Sequence, residues 1–236
     1  MKRPSKHPIS PVIRTREEAR AAYDAMSRWY DLVAGLGEKR LREAGIDLLD
    51  AKPGERILDI GCGTGAALLS LASRVGKNDT LCGLDISPGM LRVAERKMAR
   101  AELVDRIELT VGDATDLPYP PGSFDAIFTS FTLELFDTPD IPLVLRECRR
   151  VLKPDGRLCV VALAKTPAGA DHNLMERLYE WAHQAFPRYC DCRPIYLETA
   201  LKDSGYLIEQ AQNMSMWGLP VQAALATLAT ANSITD

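Results

Sequence analysis

Glu55-Arg56-Ile57-Leu58-Asp59-Ile60-Gly61-Cys62-Gly63-Thr64-Gly65 joins a short apolar run to three alternating glycines. Ile57, Leu58 and Ile60 read as a buried strand, because the run is brief, β-branched and stopped by a glycine cluster. Ala66 to Ala72 follows with good helix formers. Strand, glycine loop and helix make the first half of a nucleotide-binding βαβ unit. Gly61, Gly63 and Gly65 let the backbone turn sharply and let a ligand approach with no Cβ in the way. The helix start adds free N–H groups and a positive dipole end.

The spacing Gly61-x-Gly63-x-x-Ala66 also satisfies the dinucleotide fingerprint. Asp59 argues against that ligand: a carboxylate just before the first glycine repels a pyrophosphate. It suits a ligand with an ammonium and a sulfonium, and S-adenosylmethionine is such a ligand. Leu81-Cys-Gly-Leu-Asp85 reads as the second strand. Asp85 at its tip has the place of a carboxylate that accepts both hydroxyls of a ribose, which serves either cofactor.

The bulk numbers narrow the class. The chain has 236 residues, 46% hydrophobic and 26% charged, in the range of one soluble α/β domain. A net charge of −3 gives no basic footprint for nucleic acid. The six cysteines contain no Cys-x-x-Cys pair, and no constellation has metal-ligand spacing, so a reducing cytoplasm is expected. Residues 1–16 hold three prolines and five Lys or Arg and lead into no signal-type apolar run. Leu158 to Ala164 is the longest apolar run and is too short to span a bilayer.

From Arg16 to Val33 the apolar residues fall three and four apart, which predicts a helix. Its aromatic residues, Tyr23, Trp29 and Tyr30, suit either core packing or a lid over a bound ligand. Gly35 and Gly37 are expected to break it, with a second helix over Glu38–Asp50. Ser87-Pro88 opens a helix as N-cap and first turn. Arg106–Val111 alternates as a strand and ends in Gly112-Asp113-Ala114. There Asp113 has the place to accept from an adenine amine, or to make an Asx turn. Phe124–Phe131 is the fourth strand, Ile141–Leu152 a helix, Lys153–Gly156 a turn and Arg157–Ala164 the fifth strand. Residues 165–200 interrupt the alternation with an expected helix over Asn173–Phe186. Leu197–Ser204 is predicted helical, Tyr206–Gln212 and Met214–Gly218 as strands, and the alanine-rich Leu219–Asp236 as a short helix.

Five blocks resemble the class I S-adenosylmethionine-dependent methyltransferases. They are Leu58–Gly65, Leu84–Leu91, Gly112–Ala114, Pro120–Ile127 and Arg150–Leu158. Within that class the likeness is to the ubiquinone and menaquinone C-methyltransferases, the UbiE type. The resemblance implies a Rossmann-like, doubly wound α/β sheet of seven strands, mostly parallel with the last antiparallel, and a helical N-terminal lid. It also implies one domain: arm and lid at 1–50, cofactor core at 51–165, a substrate-covering insertion at 166–200, and terminal strands and tail at 201–236. By the same resemblance Asp59, Gly61, Gly63, Thr64 and Gly65 form the methionine-side loop. Asp85 holds the ribose, and Ile86 and Met90 pack near the adenine. Asp113 and Ala114 read the base, Ser130 meets the methionine end, and Tyr23 and Tyr30 are the lid aromatics.

After Ser130-Phe131-Thr132-Leu133, the UbiE type carries Arg-Asn where this chain has Glu134-Leu135. Glu134, Arg193 and Tyr196 are the substrate-side candidates. His172, His183, Tyr189 and Tyr196 are candidate bases by location alone, so no catalytic base is assigned. The expected acceptor is small or lipid-like, methylated at carbon in a quinone precursor or at nitrogen in a phospholipid or amine. S-adenosylhomocysteine is the expected product. The basic arm permits peripheral membrane contact, and a homodimer is compatible with the sequence. The competing readings are an NAD-dependent oxidoreductase and an S-adenosylmethionine-binding regulatory protein without turnover.

Overall fold

A computed structural model describes residues 15–27, 30–77, 79–165 and 192–229. Two helices open the chain, α1 (Arg16–Met26) and α2 (Tyr30–Leu49). Then come β1 (Ile57–Ile60), α3 (Ala66–Ala72), β2 (Leu81–Asp85), α4 (Pro88–Arg100), β3 (Ile107–Val111) and β4 (Phe124–Ser130). The chain continues through α5 (Ile141–Val151), β5 (Leu152–Leu163), α6 (Leu197–Asp203), β6 (Tyr206–Met216) and β7 (Leu219–Leu228). The strands form one sheet in the order β3-β2-β1-β4-β5-β7-β6, and β7 alone runs against its neighbours. The expected seven-stranded, doubly wound sheet is therefore present.

β1 is buried along its whole length, as is β2 except at Asp85. Helices cover both faces, so these strands carry apolar runs and not an alternation. One core cluster includes Leu68, Leu71, Phe128 and Val161; the other, on the opposite face, includes Ile127, Val144, Leu145 and Val160. Gly45 sets how closely α2 lies on the sheet, because a Cβ there would overlap Val161 Cγ2 and touch Phe128. Gly45→Val is expected to cost about 1–3 kcal/mol, the usual cost of overpacking. A thermal melt checks it; an unchanged midpoint would show that the contact yields.

Several sequence expectations are corrected. Gly35 and Gly37 do not break a helix: α2 runs through both. A Cβ on Gly37 would lie 2.7 Å from Trp217 Cζ2, so the glycine makes room for the β6–β7 turn. The break expected there falls instead after Met26, where α1 ends. Strand β5 begins at Leu152, not Arg157; its pairing with β4 skips from Phe124↔Leu152 to Ala126↔Arg157. The two short strands at 206–218 are one strand, β6, and the predicted C-terminal helix is β7. The turn consists of Trp217 (φ 51°) and Gly218 (φ 86°), two positive values that suit a two-residue hairpin. Ala223, Ala224 and Ala226 are completely buried in β7. There tertiary pairing overrides the helix preference of alanine. The basic arm up to Arg14, the 173–186 helix, His172, His183, Tyr189 and Trp29 lie outside the described residues.

Candidate active site

A cavity opens at the carboxyl ends of β1 and β4, where the strand order reverses and open α/β sheets take their ligands. Its floor is the glycine loop. Gly61, Gly63 and Gly65 have φ of 68°, 53° and 79°. A Cβ on Gly61 would overlap Thr132, and one on Gly65 would overlap Met98. A Cβ on Gly63 would meet nothing within 4 Å, so this glycine faces open space in the cavity.

Asp85 ties the loop to the second strand. Its carboxylate accepts from Gly63 N at 2.8 Å and from Ser87 N at 2.8 Å. Burial pushes its pKa up, and these two backbone donors pull it back down. Ser87 caps α4 by accepting from Met90 N at 3.1 Å, as its place before Pro88 predicts. Asp113 closes the far end. Its Oδ1 accepts from Thr115 N and Oγ1 at 2.9 Å each.

Of the cofactor residues anticipated from sequence, Tyr23, Gly61, Gly63, Asp85, Ile86, Met90, Asp113, Ala114 and Ser130 line this cavity. Three stand behind it. Asp59 is 1% exposed, and burial raises its pKa well above the usual carboxylate range, against the pull of Arg42. Thr64 accepts from Lys97 Nζ at 2.8 Å. Gly65 caps α3 in a left-handed conformation. Tyr30 begins α2, and its side chain lies outside the described residues.

The substrate-side candidates do not line the cavity. Glu134 is completely buried, in a 3-10 turn at Leu133–Leu135. Arg193 is 1% exposed and donates to Thr138 Oγ1 at 3.0 Å and to the Phe136 carbonyl. It therefore anchors the chain after β4. Tyr196 sits at the start of α6.

The sequence anticipated a helical lid with Tyr23 but not its other residues or its latches. Thr15, Arg16 and Ala19 join Tyr23 over the cavity from α1. Thr15 and Glu18 form a reciprocal capping box, a signal visible in the sequence. No residue of α1 is buried; polar latches hold it. Arg16 pairs with Asp113 Oδ2 at 2.6 Å and with Asp140 Oδ2 at 3.1 Å. Asp24 Oδ1 accepts from Ser87 Oγ at 2.5 Å and from Gly89 N at 2.6 Å, at the positive end of α4. The Ser87 bond, more than any other cause, holds the Asp24 pKa below its usual value.

Exposed ion pairs are worth up to about 1 kcal/mol each. Arg16→Ala is therefore expected to leave the melting temperature nearly unchanged. It should lower hydrogen-exchange protection of α1 roughly tenfold, as local opening free energies set that protection. Unchanged protection would show that other contacts hold the helix.

Residues 57–156 match the family model described as a methyltransferase domain. The nocamycin O-methyltransferase of Saccharothrix syringae is 37% identical over 137 residues, 58% of this chain and 45% of that protein. The demethylmenaquinone methyltransferase of Symbiobacterium thermophilum is 35% identical over 167 residues, 69% of this chain and 65% of that one. The chain thus spans less than two thirds of the length of either relative. Among solved structures, the cyclase SpnF aligns with a TM-score of 0.74 over 96% of this chain and 100% of that chain. At 20% identity this likeness speaks for the fold alone. On the family match and the likeness to demethylmenaquinone methyltransferases, residues 57–156 carry a methyltransferase domain, set in a seven-stranded sheet.

Proposed function

We infer that this protein transfers a methyl group from S-adenosylmethionine to a small or lipid-like acceptor. The observation that carries the reading is the positive-φ loop whose Gly63 faces the cavity while its N–H is held by Asp85. The buried Asp59 stands behind that loop with Oδ2 unpartnered. A pyrophosphate in the cavity would meet the carboxyls of Asp85 and Asp113, which disfavours the NAD reading.

The cofactor supplies an activated sulfonium methyl, so much of the protein's work is positioning and exclusion of water. Asp85 is placed for the ribose hydroxyls, Ile86, Met90 and Ala114 for the adenine, and Ser130 for the methionine end. The roof from α1 excludes solvent. Phe131, Leu135 and Phe136 give the cavity an apolar wall, which supports a ring or a lipid-like tail on the acceptor. The two chemistries in view are carbon methylation of a quinone precursor and nitrogen methylation of a phospholipid or amine. The insertion at 166–200 is read as the acceptor's cover, and the basic arm as a contact for a membrane surface.

No helix among the described residues is long and apolar enough to cross a membrane. The five described cysteines are free thiols, which supports a reducing compartment such as the cytoplasm. Isothermal titration with S-adenosylmethionine, S-adenosylhomocysteine and NAD tests the reading. Micromolar binding of the first two supports it; binding of NAD alone would return the chain to the oxidoreductases.

A further inference from the structure

The glycine floor of the cavity and its apolar wall meet at one side chain. The register sets Ile60 of β1 beside Thr129 of β4, so Gly61 and Ser130, the residues that follow, leave the sheet side by side. The loop is held on its own side: Gly61 N and Cys62 N both donate to the Leu84 carbonyl, at 2.8 and 3.1 Å. On the other side Phe131 reverses the chain with a φ of 53°, a conformation that bulky residues rarely adopt. Phe131 N donates to the Val161 carbonyl at 2.8 Å, and the residue is buried. The reversal lays Thr132 over Gly61, so closely that a Cβ on the glycine would overlap the threonine hydroxyl.

Thr132 is half-buried and lines the cavity, with Gly61 and Ser130 on one side and Phe131, Leu135 and Phe136 on the other. Its place is fixed. Its carbonyl accepts from Leu135 N at 3.0 Å, within the 3-10 turn at Leu133–Leu135, and its hydroxyl donates to the Ser130 carbonyl at 3.0 Å. A threonine hydroxyl has one proton and two lone pairs. With the proton committed to Ser130, the oxygen meets a ligand as an acceptor. No N–H or O–H group of the described residues donates to it.

We propose that the Thr132 hydroxyl oxygen receives the methyl C–H groups of S-adenosylmethionine, and so gives that cofactor a contact which S-adenosylhomocysteine does not make. The proposal rests on the methyltransferase reading above. That reading assigns the methionine end to the glycine loop and Ser130, and the acceptor to the apolar wall. Thr132 stands on the boundary between the two. A methyl group on a sulfonium shares the positive charge, which makes its C–H groups better donors than those of an ordinary methyl. An oxygen whose own proton is turned to Ser130 offers them lone pairs alone. Its task is to orient the methyl group; no proton passes to it. A hydroxyl that merely braced the turn after β4 would behave differently, because its loss would lower the melting temperature and weaken both forms of the cofactor alike.

The test titrates the full chain by calorimetry, as wild type, Thr132→Val, Thr132→Ala and Thr132→Ser, with S-adenosylmethionine and with S-adenosylhomocysteine. A wild type that binds neither would overturn the methyltransferase reading itself. Where it binds both, the readout is the ratio of the two Kd values. Valine keeps the shape of threonine without the oxygen, alanine removes the oxygen and the bulk, and serine keeps the oxygen. Contacts of the C–H to oxygen kind are individually weak, so removal of the oxygen should move the ratio against S-adenosylmethionine by roughly threefold or more, with the S-adenosylhomocysteine Kd held within about twofold. Thr132→Ser should keep the wild-type ratio. An unchanged ratio in the valine and alanine variants, or an equal weakening of both ligands, would overturn the proposal and leave the cofactor reading standing. Should the valine variant fail to fold, the alanine variant decides.

Discussion

Glu134→Gln is expected to make the protein more stable at pH 9 than the wild type. The folded-state pKa of Glu134, about 8, lies above its ordinary 4.5. Between those values the unfolded chain loses its proton while the folded chain keeps it, so stability falls as pH rises. The contribution of this carboxyl is fully present below pH 4.5 and is lost through pH 8. Glu38 moves in the same direction, up to about 7. Glutamine keeps the bond from Leu163 N and has no charge to bury. The gain at pH 9 is on the order of 5 kcal/mol, one pKa unit being about 1.4 kcal/mol. At pH 5 the two proteins should match more closely. Glu55, Asp125 and Glu147 act oppositely: their pKa values are lowered, so their contributions are lost on acidification. Urea melts at pH 5 and pH 9 decide the matter; parallel pH dependences would mean that Glu134 is ionised in the native state.

The second large effect is expected from Asp85→Ala. The side chain holds Gly63 N and Ser87 N, and the proposed function assigns it the ribose. Hydrogen bonds to a charged group are worth about 1.5–3 kcal/mol each. The loss of two amounts to about 3 kcal/mol, or roughly a hundredfold in Kd for S-adenosylmethionine. The glycine loop loses its tether at the same time, so exchange at Gly63 N should quicken. Asp85→Asn separates the two parts, since it keeps an acceptor for the loop and drops the charge. An alanine variant that still binds with wild-type affinity would remove Asp85 from the cofactor site.

The sequence anticipated many of the residues that line the cavity, because local chemistry dictates their conformations. Three glycines at positive φ, a carboxylate ending β2 and a serine before Pro88 announce their conformations in their own side chains or lack of them. The same reading failed where distant contacts decide. Ala223, Ala224 and Ala226 favour helix in isolation, yet a hairpin partner and β5 claim them. Gly35 and Gly37 look like helix breakers until a helix packs on Trp217. Arg16 gives no hint of Asp113 and Asp140, 97 and 124 residues away. Glu134 stood out as a departure from its family's pattern, but its burial and its bond to Leu163 N emerge only when β4 and β5 lie side by side.

The outermost strand has a bearing on how the molecule behaves in crowded solution. β6 is eleven residues long and ends the sheet among the described residues, so no described strand pairs with one row of its backbone groups. Long flat edges of that kind invite fibrous self-association. Here the register slips between Ile208 and Gln210, and Glu209, Gln210, Gln212, Asn213 and Ser215 give the strand a polar character. A foreign chain that tried to zip on would meet a kink in its ladder and lose hydration around amides and a carboxylate. The border of the sheet is thereby poorly suited to runaway stacking.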